Sequence, residues 1–177
     1  HTHAMPMFPK YLEDNGTEEA SRQHQPGSEY PPGDDRRRAF FQRGYCFLYG
    51  TLMDPQTLCR VLKLSRPEPV MRRAKVVGYE TKLWGPYPAL VDGEPLCSVD
   101  GMACEIFSRT QLDRLAEYET DKYRLRACLI QLLDDDDETV KTVEGVTSMW
   151  DGRHEELREG TFDLREWKKE NQLRDLD

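Results

Sequence analysis

From Tyr45 to Trp150 the chain is a succession of short apolar, β-prone runs. Most are stopped by Gly, Pro or Asp before they outgrow a single strand. Tyr45 to Tyr49 is one such run, and it halts on Gly50. Val70 to Trp84 alternates loosely and reads as one long strand, which Gly85-Pro86-Tyr87-Pro88 turns back. Ala89-Leu90-Val91 is a short strand ended by Asp92-Gly93. Ser98 to Phe107 is another, with Gly101 marking a bulge or a close approach. Tyr123 to Leu133 and Val140 to Trp150 flank the acidic turn Asp134 to Glu138 and read as a hairpin. Mostly antiparallel strands with a few short helices make an α+β domain, with a closed sheet as the natural arrangement.

The helical segments are short. Asp54 fits an N-cap and Pro55 the first helical position, and Leu58, Val61 and Leu62 give an amphipathic helix to about Lys63, broken by Arg66-Pro67-Glu68-Pro69. Glu155 to Glu159 reads as a helical turn. Asp163 to Asn171 reads as a terminal helix, opened by an Asp163/Glu166 capping box with Leu164 and Trp167 facing inward. Residues 1–42 are rich in Pro, Gly, Ser and charge and read as a flexible arm, with His1 to Met5 as a tag remnant. Residues 43–177, terminal helix included, form the expected domain. The Asp134 to Glu138 run reads as a solvated loop tip, with calcium as the alternative.

Charge and residue scarcity exclude whole classes of chemistry. With 33 Asp and Glu against 25 Lys and Arg, a formal net charge of −8, the chain lacks the basic face that nucleic acid requires. Arg36-Arg37-Arg38 follows Asp34-Asp35 in the arm and reads as solvated. The five cysteines, Cys46, Cys59, Cys97, Cys104 and Cys128, are odd in number and show no C-x-x-C spacing, which fits reduced thiols in a cytoplasmic protein. No run approaches the ~18 apolar residues of a membrane span, and the first thirty residues hold no secretory h-region. His154 alone falls inside the domain, in a charged run, so a histidine-assisted nucleophile or a zinc site is not expected. Catalysis, where present, falls to a carboxylate.

The stretch Ser108 to Tyr123 supplies one. Ser108 and Gln111 form a capping-box start, and Leu112, Leu115 and Ala116 mark an apolar face. At ~100° per residue, Glu119 lies about 20° from Leu112 around the axis, where periodicity asks for a core residue. A carboxyl in an apolar setting suits a general acid/base. The alternative is a helix ending at Tyr118, with Glu119 turned to water and paired with Lys122 or Arg124. Gly50, by a positive φ or by letting a ligand near the backbone, would open a nest of amides at the following helix start. Donors for a carboxylate and a base for an ammonium group suit a small zwitterionic substrate.

Tyr49-Gly50-Thr51-Leu52, Tyr87-Pro88-Ala89-Leu90-Val91, Val99-Asp100-Gly101, and Leu115-Ala116-Glu117-Tyr118-Glu119 followed by Tyr123-Arg124 occur in that order. Over about residues 45–150 this set resembles the gamma-glutamyl cyclotransferase superfamily, in the branch of gamma-glutamylamine cyclotransferases and plant avirulence-induced-gene-like proteins. The resemblance implies a small mixed, mostly antiparallel barrel with flanking helices. It implies an enzyme of transferase or lyase type that releases 5-oxoproline and a free amine from a gamma-glutamyl amine or peptide. It makes Glu119 the catalytic glutamate and Tyr49, Gly50, Thr51, Leu52 and Tyr123 the substrate-binding residues, and it calls for no metal and no cofactor. Thr51 and Leu52 stand where the best-known glutamyl-amino-acid members carry Ser and Asn. The expected partner is a small gamma-glutamyl substrate, not nucleic acid or membrane. A binding module that keeps the pocket without turnover is the rival reading.

Overall fold

The computed structural model describes residues 44–65, 69–118 and 120–175. The expected arm, the Arg66-Pro67-Glu68 part of the helix breaker, and Glu119 lie outside the described residues. Five strands close a barrel: β1 (Gly44–Leu48), β2 (Met71–Val77), β5 (Ser98–Ile106), β6 (Tyr123–Leu133) and β7 (Thr139–Trp150), in the order β1-β5-β2-β6-β7. All pairs are antiparallel except β1 with β7, whose parallel register Tyr45↔Gly145, Cys46↔Val146, Phe47↔Thr147 closes the ring. The expected α+β barrel with short flanking helices is what the chain forms.

The long strand expected over Val70 to Trp84 is two strands. Gly78 sits at φ 89, a conformation that suits glycine and breaks the pleat. There the chain leaves the barrel. β3 (Tyr79–Trp84) and β4 (Tyr87–Asp92) form a separate two-stranded ribbon, with Trp84 paired to Tyr87 across Gly85-Pro86. Gly85 at φ 58 supplies the positive first position of a tight hairpin turn. Loose alternation runs through Gly78 undisturbed, so the pattern alone did not reveal the exit.

Helix α1 (Pro55–Leu62) starts as expected, with Asp54 accepting from the Thr57 amide at 3.1 Å. Helix α2 (Arg109–Glu117) is capped by Ser108, which accepts from the Gln111 amide at 3.2 Å, while Gln111 reaches back to the Phe107 amide at 2.8 Å. Leu58 and Leu62 from α1 and Leu112 and Leu115 from α2 are buried against the barrel, each contributing roughly 1.5–3 kcal/mol. Arg114 of α2 donates to the Leu62 carbonyl at 2.8 Å, so one helix satisfies an end carbonyl of the other.

Gly101 is a close approach: a Cβ there would press on the Leu48 carbonyl oxygen and lie 2.8 Å from the Phe47 ring. The β6–β7 hairpin matches its expected span, and the Asp134 carboxylate organises its tip by accepting from the Asp136 and Glu138 amides at 2.9 and 3.0 Å. The helical turn expected to Glu159 is a shorter 3₁₀ turn, His154–Glu156. Beyond it the chain is drawn straight by Arg158, which exchanges two backbone hydrogen bonds with Leu83 of β3. Helix α3 (Leu164–Asp175) then runs four residues past its expected end, with Trp167 half-buried.

Candidate functional site

The stop at Gly50 is a backbone event. Gly50 adopts φ −123 and ψ −140, so it owes nothing to the left-handed region that the sequence reading allowed for. After it, Thr51–Met53 form one 3₁₀ turn closed by the Met53 amide to the Gly50 carbonyl at 3.0 Å and the Asp54 amide to the Thr51 carbonyl at 3.2 Å. Those bonds use the amides of Met53 and Asp54; the amides of Thr51 and Leu52 stand at the start of the turn, where a helix has no intrahelical acceptor to offer.

The side chains of this turn face inward. Leu52 is fully buried in the main core, and Thr51 is buried with its hydroxyl 3.1 Å from that of Tyr118. That contact ties the turn to the end of α2. The helix itself stops at Glu117, and Tyr118 is its C-cap in αR conformation. The stripe carried through Leu112 and Leu115 thus ends before Glu119, and the angular argument does not reach it. Lys122, one of the partners foreseen for Glu119, is held by the Glu156 carboxylate at 3.0 and 3.1 Å. The Lys122 hydrogen bond holds the Glu156 carboxyl below its ordinary value.

Tyr49 and Tyr123 are struts. The Tyr49 hydroxyl donates to the Ser148 carbonyl at 2.7 Å and accepts from the Leu90 amide at 3.2 Å. The Tyr123 hydroxyl donates to the Pro88 carbonyl at 2.9 Å. Residues two apart on a strand aim their backbone groups the same way. The two hydroxyls therefore cover the edge of β4 that faces away from β3, which a two-stranded ribbon would otherwise leave bare. Tyr123 is fully buried in an aromatic cluster, edge-on to Trp150 at 5.4 Å and to Trp84 at 6.3 Å. It sits apart from the core that holds Leu52.

A cavity of about 550 Å³ opens beside the turn. Tyr49, Met53 and Pro88 line it together with Glu159, Thr161 and Phe162. Of the expected binding residues only Tyr49 reaches it; Gly50, Thr51, Leu52 and Tyr123 are not on its wall. Glu80, Lys82, Cys97 and Asp100 also border it, and Lys82 is ion-paired with Glu159. The Cys97 thiol donates to Glu80 at 3.5 Å, and that hydrogen bond pushes its pKa up.

Tyr118, Pro88 and Lys168 are the participants that sequence reading missed. Tyr118 stands three residues after Leu115 on the same face, a spacing that could have found it. Lys168 pairs with Asp54 at 3.0 Å, and no local pattern announces a partner so far along the chain. Among the described residues no group of three or more His, Cys, Asp or Glu is placed to hold a metal ion, and no helix is long and apolar enough to cross a membrane.

A family model described as gamma-glutamyl cyclotransferase, AIG2-like, matches residues 46–169. Among solved structures, one Arabidopsis thaliana protein studied in solution aligns with 23% identity over 75% of this chain and 85% of its own, at a TM-score of 0.53. A second from Arabidopsis thaliana aligns with 23% identity over 76% of this chain and 78% of its own, at 0.54. These likenesses are ones of fold. No curated protein matches the chain at a significant level.

Proposed function

This chain belongs to the gamma-glutamyl cyclotransferase, AIG2-like family, and from that premise we propose that it converts a gamma-glutamyl amine or peptide into 5-oxoproline and a free amine. The α-carboxylate of the glutamyl group is received by the opening amides of the Thr51–Met53 turn, as anions are at such nests. Glu119 is the general acid/base. An α-ammonium has a pKa near ~8 and cannot attack until it loses a proton, which Glu119 accepts. The freed nitrogen attacks the γ-carbonyl carbon of the same molecule, and the bond from that carbon to the amide nitrogen breaks. Glu119 returns its proton to the departing nitrogen. The second proton shed by the α-nitrogen as the lactam forms leaves with the amine as its ammonium. No redox partner is consumed. Holding the substrate folded for this internal attack can supply ~7–11 kcal/mol in favourable cases.

The observation that supports this reading is the hydrogen bond between Thr51 and Tyr118. It links the turn that would hold the carboxylate to the residue immediately before Glu119. The test is 5-oxoproline release from a panel of gamma-glutamyl amides that share the glutamyl group and differ in the amine. Release from at least one, abolished by Glu119→Gln, is the expected result. Saturable binding of a gamma-glutamyl amide with no release from any would make this a binding module and end the enzymatic reading.

A further inference from the structure

Asp54 closes the turn and opens α1 at once. Its amide makes the last bond of the turn, to the Thr51 carbonyl. Its carboxylate is buried and saturated: one oxygen accepts from the Thr57 amide at 3.1 Å and the Thr57 hydroxyl at 2.7 Å, and the other accepts from the Lys168 ammonium at 3.0 Å. Lys168 comes from α3, after the barrel is complete. The segment leading into α3 is fastened at its other end to β3, through the Leu83–Arg158 backbone pair and the Lys82–Glu159 ion pair. In this segment, Glu159, Thr161 and Phe162 line the same cavity as Tyr49 and Met53. The Lys168–Asp54 bond therefore ties the segment that carries these lining residues to the turn that carries Met53.

We propose that Lys168 is a positioning residue: through Asp54 it fixes the backbone of the Thr51–Met53 turn, and so sets the affinity for substrate. This rests on reading that turn as the carboxylate site. Without the ammonium, one oxygen of a buried carboxylate loses its donor, and such a group turns toward water or another donor. Either movement pulls on the Asp54 amide and on the bond that ends the turn. A residue that acts by placing the binding turn changes how tightly substrate is held and leaves the proton transfer alone.

Lys168→Met keeps the aliphatic stem and removes the charge, and Lys168→Arg restores it. Hydrogen exchange at the Met53 and Asp54 amides reads the turn with no substrate present. Exchange should quicken about tenfold in Lys168→Met and return to the parent value in Lys168→Arg, while β6 and β7 amides keep their parent rates. On the gamma-glutamyl amide that the parent turns over, KM should rise about three- to tenfold with kcat within about twofold. Unchanged exchange at Met53 and Asp54 would overturn the positioning role whether or not the protein is active. A fall in kcat at unchanged KM would overturn it too. Absence of turnover in the parent would strike at the enzymatic reading, and the exchange result would still decide the role of Lys168.

Discussion

Tyr49→Phe removes one oxygen atom and leaves the packing volume almost intact, so its cost isolates the strut. Two buried backbone groups depend on that oxygen, the Ser148 carbonyl and the Leu90 amide. A net hydrogen bond is worth about 1 kcal/mol, and a buried group left unsatisfied costs ~1–3 kcal/mol. With one donor and one acceptor orphaned together, the expected loss is about 2–4 kcal/mol. At about 4 °C per kcal/mol for a domain of this size, the melting temperature should fall by roughly 8–16 °C. Tyr123→Phe is the internal control. Among the described residues it orphans the Pro88 carbonyl, one backbone group against two, and should cost about half as much. Urea unfolding followed by tryptophan fluorescence measures both losses, since Trp84 and Trp150 pack against Tyr123. A loss below about 0.5 kcal/mol for Tyr49→Phe, or a larger loss for Tyr123→Phe, would refute the account of the two tyrosines as edge struts.

Glu119→Gln keeps shape and removes proton cycling, so lactam release should fall ~10²–10⁴-fold with KM little changed; release at the parent rate would end the mechanism. Gly101→Ala drives a Cβ into the Leu48 carbonyl and the Phe47 ring, where β1 and β5 meet. It should destabilise the barrel by about 2 kcal/mol or more, read as a lower urea midpoint. The Asp54 carboxyl is pulled two ways: burial raises it, but hydrogen bonds from Thr57 and Lys168 outweigh burial and hold it below its ordinary value. Glu156 is lowered as well, through Lys122. Depressed carboxyls add stability that is complete above their ordinary pKa near ~4 and is lost as pH falls through their lower native values. Melting temperatures between about pH 6 and 2 should therefore decline less steeply for Asp54→Asn than for the parent, and parallel curves would contradict the assignment.

Local signals foretold what local physics controls. Asp54-Pro55 marked the start of α1 because a capping side chain and a preset φ act within one turn, and both are in place. The β6–β7 hairpin was legible because alternation on both sides of an acidic tip leaves few other pairings. Gly78 was read through, because a strand pattern does not say which sheet each half will join. The end of α2 was left open, at Tyr118 or beyond, for a related reason. Periodicity extrapolates, whereas the helix ends where Tyr118 meets Thr51 from a distant part of the chain. Tyr49 and Tyr123 were named for the site, and their hydroxyls prove to be engaged with β4 and β7 backbone. Motif order singles out residues without saying whether the side chain or the backbone is what the fold uses there.

The parallel seam between β1 and β7 has a consequence for how the molecule comes into being. Tyr45 meets Gly145 and Phe47 meets Thr147, so the seam joins segments that are far apart along the chain. The Thr147 hydroxyl holds the Phe47 carbonyl at 3.1 Å, and the Tyr49 hydroxyl holds Ser148 one residue further on. A ribosome delivers β1 early and β7 late, and loop closure over such a span is among the slow steps of folding. The bend that follows β1 stays without its far-side supports until the last strand arrives. A half-made chain carries the turn without the strand that braces it, and in a refolding experiment the binding of a gamma-glutamyl amide expected from the proposed function should appear in the same slow phase as the final closure of the ring.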